Sequence, residues 1–244
     1  MTAVLETRGL STGYAGQPVV HDLDLVVNPG EVVCLLGPNG AGKTTTMLCL
    51  SGELPPLGGE VLFDGQPTRA PLHRRARNGM SYVTEERSVF KAMSLRDNLR
   101  VAGVDARQAL ELFPELEKRM TVRGGLLSGG EQQMLTLARA LTRTPRLLLA
   151  DELSLGLAPI VVDRLLQAVR DAADQRGLGV LMVEQHAHKA LKYADRAILM
   201  RRGRIELALS AKEAQSRIGE VQQAYMTSAS VSVETDEARR GPSS

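Results

Sequence analysis

The chain has 244 residues, 43% of them hydrophobic and 24% charged; this suits one large globular domain, or two small ones sharing a core, and excludes a largely disordered chain. Lys and Arg number 30 against 28 Asp and Glu, for a formal net charge of +2, and aromatics make up 3% with no Trp. A clustered basic face and a base-stacking platform are therefore both missing, which argues against nucleic acid as the main partner.

Taken in chain order, Val4 to Val27 reads as short strands with turn signals between Gly13 and Gly16, closed by a tight turn at Asn28-Pro29-Gly30. Val32 to Leu36 is a continuous apolar run of strand length, suited to burial on both faces. A Gly-rich loop and a helix-like stretch from Lys43 to Leu50 follow, the start of a βα unit. Gly58 to Gly65 is a strand between turns and Met80 to Val83 another short strand. Ser94 to Arg119 carries Leu95, Leu99, Leu110, Leu112 and Leu116, a mainly helical insert. Glu131 to Leu141 is a stronger helix with Met134, Leu137, Ala138 and Leu141 on one face. Arg146 to Ala150 begins a second buried strand. Pro159 opens a helix that runs to Arg176-Gly177, and Val180 to Val183 is a third buried strand. Ala197 to Met200 and Arg204 to Leu209 flank Arg202-Gly203 as a hairpin. This alternation of strands and helices predicts a largely parallel sheet covered on both faces. From Ser228 the chain is rich in Ser, Thr, Glu and Arg and reads as a flexible tail. Cys34 and Cys49 fit no zinc or redox spacing and read as buried thiols of a reducing compartment. No secretory pattern opens the sequence and no apolar stretch approaches the roughly 18 residues of a membrane span. The expectation is a cytosolic protein, or one attached to a membrane only through another protein.

Three strings carry chemistry. Gly37-Pro38-Asn39-Gly40-Ala41-Gly42-Lys43-Thr44 matches G-x-x-x-x-G-K-[ST] between a buried strand and a helix. The glycines let successive backbone N–H groups turn inward around phosphate oxygens, and the helix N-terminus favours anions. Lys43 supplies a point charge for the β- and γ-phosphates, and the Thr44 hydroxyl suits Mg²⁺. Arg146-Leu-Leu-Leu-Ala150-Asp151-Glu152 places two carboxylates at the carboxyl end of a buried strand, where ligands bind in open α/β sheets. Asp151 suits the Mg²⁺ shell and Glu152 a general base that polarises the attacking water. Leu127-Ser128-Gly129-Gly130-Glu131-Gln132-Gln133 stands before a helix, with Ser128 as N-cap and Glu131 completing a capping box.

Over residues of about 4 to 210 the sequence resembles the nucleotide-binding subunits of ABC transporters, and most of all the shorter ATPase subunit of the branched-chain (hydrophobic) amino acid importers. The likeness rests on Gly37 to Thr45, Tyr82-Val-Thr-Glu-Glu-Arg-Ser-Val-Phe90, Leu112-Phe-Pro-Glu-Leu116, Leu127 to Met134, Ser154-Leu-Gly-Leu-Ala-Pro159 and Val183-Glu-Gln185. The resemblance implies an α/β P-loop NTPase fold of ABC type: a mostly parallel sheet core, an antiparallel β subdomain and a helical insert at about 86–140, the ATPase domain covering 1–228 and the tail 229–244. It implies ATP and Mg²⁺, and a head-to-tail dimer with a related longer ATPase chain or a second copy. Each ATP would lie between Gly37–Thr45 of one chain and Leu127, Ser128, Gly129, Gly130 and Glu131 of the other. Tyr14 would stack on adenine, Gln185 would serve as the switch residue at the γ-phosphate, and Glu85 would join Thr44 and Asp151 around the metal. Two transmembrane permease subunits would dock on the insert at the cytoplasmic face of the membrane, with an extracytoplasmic binding protein contacted indirectly.

Glu85 and Gln185 replace the Gln and His of many ABC ATPases, as in the branched-chain subfamily. Gln185 can donate without charge, and Glu85 would repel γ-phosphate if ionised and too close. Thr84 and Leu153 stand where that subfamily usually has Pro, which leaves the backbone beside Glu152 freer. Other readings are an ATPase of a urea or short-amide importer, a more distant lipid-export ATPase, a soluble non-transport ABC ATPase and a nucleotide sensor that hydrolyses slowly.

Overall fold

The computed structural model describes residues 2–184, 187–217 and 219; the tail expected at 229–244 lies outside them. β1 (Leu5–Tyr14) and β2 (Gln17–Val27) form an antiparallel hairpin with Tyr14 opposite Gln17. Its two turn residues, Ala15 and Gly16, both lie at positive φ, the loop geometry whose twist matches the flanking strands. β4 (Pro56–Phe63) and the short β5 (Gln66–Pro67) complete a four-stranded antiparallel sheet in the order β2-β1-β4-β5.

The main sheet contains β3 (Val32–Leu36), β6 (Met80–Val83), β7 (Leu147–Asp151), β8 (Gly179–Val183), β9 (Arg196–Arg201) and β10 (Arg204–Ser210). Their order is β10-β9-β3-β8-β7-β6, and all pairs are parallel except β10–β9, the expected hairpin. Side chains of a strand alternate between faces. Val32, Cys34 and Leu36 accordingly enter one core, while Val33 and Leu35 enter the other. The first core also holds α5 (Gly129–Leu141), α6 (Pro159–Arg176) and the insert; the second holds α1 (Lys43–Ser51) and the inner face of the antiparallel sheet. Cover on both faces is the reason the three central strands read as unbroken apolar runs.

The insert differs from a long helix. It breaks into α3 (Leu95–Val101), α4 (Ala106–Leu112) and a 3-10 turn at Pro114–Arg119. Gly103 at φ 67° ends the first piece, and the Asp105 side chain caps the second by accepting the Arg107 N–H at 2.8 Å. Pro114, without an N–H, then starts a tighter turn. α5 begins at Gly129, two residues before the expected Glu131, because Ser128 is its N-cap.

Candidate functional site

Because the central strands run parallel, the loops that follow β3, β6, β7 and β8 leave the same end of the sheet. The loop after β3 is shaped by what its glycines allow. Gly37, at φ 153°, would with a Cβ stand 2.4 Å from the Met200 carbonyl oxygen; Gly42, at φ 102°, would meet the Val20 side chain at 3.1 Å. Backbone bonds from Ala41 to Pro38 (3.1 Å) and from Gly203 to Ala41 (2.9 Å) hold the curve, with Asn39 and Gly40 at its exposed lip. Gly42 caps α1 without a side-chain acceptor, so the first amides of that helix face the loop as donors for an anion. Lys43 is buried, and its Nζ donates to the carbonyls of Gly37 (2.7 Å) and Pro38 (3.0 Å). Burial holds its pKa below the ordinary lysine value, and the charges of Glu152 and Asp151 oppose that shift.

Asp151 ends β7, buried, with Oδ1 lacking any hydrogen-bond partner among the described residues. Burial, then the charges of Glu152 and Glu85, push its pKa up to about 6, against the pull of Lys43 and a hydrogen bond from Thr44. Lys43, Thr44, Glu85, Asp151 and Glu152 thus share one electrostatic neighbourhood although they come from three different loops. Glu152 adopts the left-handed conformation, φ 52°, and its N–H donates to the Val183 carbonyl at 2.9 Å. That backbone region is uncommon for a side chain other than glycine and is held only where the surroundings impose it.

The signature string keeps the predicted cap. The Glu131 N–H donates to Ser128 Oγ (3.3 Å), the Ser128 N–H donates to Glu131 Oε2 (2.8 Å), and Glu131 pairs with Arg119 at 2.7 Å. Accepting from Glu131 leaves the exposed Ser128 hydroxyl proton available to an outside acceptor. Leu127 is buried as the anchor of the string, while Gly129 and Gly130 are partly exposed and pack closely on Arg87 and Val161. Tyr14 is half exposed at the end of β1, its hydroxyl 3.5 Å from Thr45 Oγ1, which sets the ring beside the Gly loop. Gln185 lies outside the described residues.

One further residue of the site stands inside the Val183-Glu-Gln185 string. Glu184, directly after β8, is almost wholly buried. It accepts the Ser154 N–H at 3.2 Å and a close hydrogen bond from the Ser154 hydroxyl, and the Leu153 backbone also bonds it. Burial pushes its pKa up to about 7, the donors from Ser154 working against that. The rule that singled out Asp151, a carboxylate at the carboxyl end of a buried apolar strand, applies equally to Glu184.

The ABC transporter family model matches residues 20–154. The chain belongs to the ABC transporter family. Among its relatives it is 39% identical over 206 residues to the high-affinity branched-chain amino acid transport ATP-binding protein BraG of Pseudomonas aeruginosa, covering 80% of this chain and 88% of that one. It is 38% identical over 218 residues to the lipopolysaccharide export system ATP-binding protein LptB of Escherichia coli, covering 83% and 89%. A solved ATP-binding subunit of an ABC transporter superposes with a TM-score of 0.75 at 27% identity, over 95% of this chain and 99% of that one. This chain is thus an ABC ATPase, an enzyme that binds and hydrolyses ATP. Among the described residues no helix is long and apolar enough to cross a membrane.

Proposed function

We propose that this ABC ATPase energises an importer of branched-chain (hydrophobic) amino acids, with Glu152 as general base. The hydrolytic part is carried by one observation: the buried, unpartnered Oδ1 of Asp151 beside Thr44, Glu85 and Glu152. Such a group of oxygens suits a hard divalent cation. Among the described residues no three acidic, imidazole or thiol groups stand close enough to hold a metal by themselves; Mg²⁺ would take the rest of its shell from water and nucleotide phosphate. Thr44, Asp151 and Glu85 would hold it, and when bound it neutralises phosphate charge. Residues 37–45 bind the phosphates through backbone N–H groups and the Lys43 ammonium. Glu152 accepts the proton of the attacking water, Gln185 donates to the γ-phosphate, and Tyr14 stacks on adenine.

The chain works as a head-to-tail dimer, with Ser128 to Glu131 of one ATPase closing over the ATP of the other. Two permease subunits dock on the insert. A cavity of about 600 Å³ between the insert and the β6 edge supports that reading; it is lined by Tyr82, Thr84, Arg139 and Arg143, and Arg139 Nε is buried there without a hydrogen-bond partner. The amino acid cargo is supported by the likeness to BraG and by Ser154 to Pro159 and Val183 to Gln185. A second reading, energising lipopolysaccharide export, is favoured by the nearly equal identity to LptB.

Uptake of labelled leucine at sub-micromolar concentration separates the two. Cells lacking this chain lose uptake and regain it with the intact chain but not with Glu152→Gln. Normal uptake accompanied by failure of lipopolysaccharide to reach the surface would reverse the choice of cargo.

A further inference from the structure

We infer that Glu184 is a positioning residue for hydrolysis: its buried carboxylate gathers the backbone of Leu153 and Ser154 and thereby fixes the strained turn that carries Glu152. The inference rests on Glu152 being the general base.

Three consecutive residues after β7 are tied to the last residue of β8 and the one that follows it. The Glu152 N–H reaches the Val183 carbonyl, and the Leu153 backbone and the Ser154 N–H and hydroxyl reach the Glu184 carboxylate. A residue in the left-handed region turns the amides beside it toward one point, a geometry that collects an anion. Glu152 is that residue, at φ 52°, and the Glu184 carboxyl oxygens supply the acceptors from within the chain. Leu153 and Ser154 are themselves buried, so water does not compete for these donors. Leu153 takes on a meaning that its sequence position lacked. It stands where the resembling subfamily usually has Pro, and a Pro has no N–H to give Glu184. The stiffness that a proline ring would have provided is replaced here by a hydrogen bond to a carboxylate 31 residues away in sequence. Glu184 is also the last residue before Gln185, so a single side chain links the backbone of the base to the start of the segment that carries the switch residue.

The test uses the full chain, with steady-state ATP hydrolysis and equilibrium ATP titration on Glu152→Gln, Glu184→Gln, Ser154→Ala and the Ser154→Ala/Glu184→Gln double variant. Misplacing a reacting group by a fraction of its reach lowers turnover without touching substrate affinity. Glu184→Gln is expected to lower kcat about tenfold with KM within about twofold of the parent. Ser154→Ala should lower kcat about threefold, and the double variant should be no slower than Glu184→Gln, since both act through one contact. A Glu184→Gln chain that turns over at the parent rate, while Glu152→Gln is inactive, would overturn the inference. So would kcat and ATP affinity falling together, or fully additive losses in the double variant. Should Glu184→Gln fail to fold, Ser154→Ala decides: a lower kcat at unchanged KM supports the positioning role and an unchanged kcat removes it. Unimpaired hydrolysis by Glu152→Gln would instead remove the general-base assignment, and the inference with it.

Discussion

The loops that leave β3 and β7 sit side by side at one end of the sheet and are held in shape by opposite means. The loop after β3 is a backbone construction. Gly37 approaches the Met200 carbonyl to a distance that a side chain would forbid, and Gly42 holds φ 102°, a conformation that strains any other residue; the loop then folds its own carbonyls onto Lys43. The loop after β7 has no glycine at its strained position. Glu152 takes φ 52° with a full side chain, and the Val183 carbonyl and the Glu184 carboxylate, both on the neighbouring strand's end, anchor it. A loop whose shape rests on close backbone approach can be written in local glycines. A loop that must hold a carboxylate in one place has to borrow its restraint from elsewhere.

The sharpest way to break the comparison is Gly37→Ala. With its Cβ 2.4 Å from a backbone oxygen, either the loop or β9 must move, and unfolding in urea should show a loss of about 3 kcal/mol; an unchanged midpoint would mean the loop is not held by close approach. Next in size is Lys43→Ala. Removing the one ammonium that the loop's carbonyls cradle should weaken ATP binding about tenfold to a hundredfold by titration, with the fold intact. The smallest effect belongs to the second loop and concerns pH. The Glu184 pKa is raised from 4.5 to about 7 in the folded chain, so folding favours its protonated form. Its contribution to stability is then fully present below the unfolded value and is lost as pH rises through about 7. Urea midpoints should therefore decline between about pH 5 and about pH 8, and Glu184→Gln should flatten the decline. A slope that survives in the variant would assign it to other groups, such as Asp151.

Much of this was legible in the chain itself. The three central strands, α1, α6 and the β9–β10 hairpin follow from apolar runs, Pro159, Gly177 and Arg202-Gly203, all signals within a few residues of the structure they specify. The capping box of Ser128 and Glu131 is equally local. The insert was harder, because its leucines keep helical spacing across Gly103 and Pro114, where the chain actually turns.

By itself the sequence determined the Gly-rich loop of residues 37–45, the strand-end carboxylates and the capped helix start at Ser128, since each is a contiguous string whose backbone geometry its own residue types impose. Only the tertiary structure decided that Asp151 is a buried carboxylate with an unpartnered oxygen near Thr44 and Glu85, and that Glu184 grips Leu153 and Ser154. Both depend on which strands lie next to one another: β7 must pair with β8 before residues 30 apart in sequence can meet at hydrogen-bond distance, and that pairing is a property of the whole sheet.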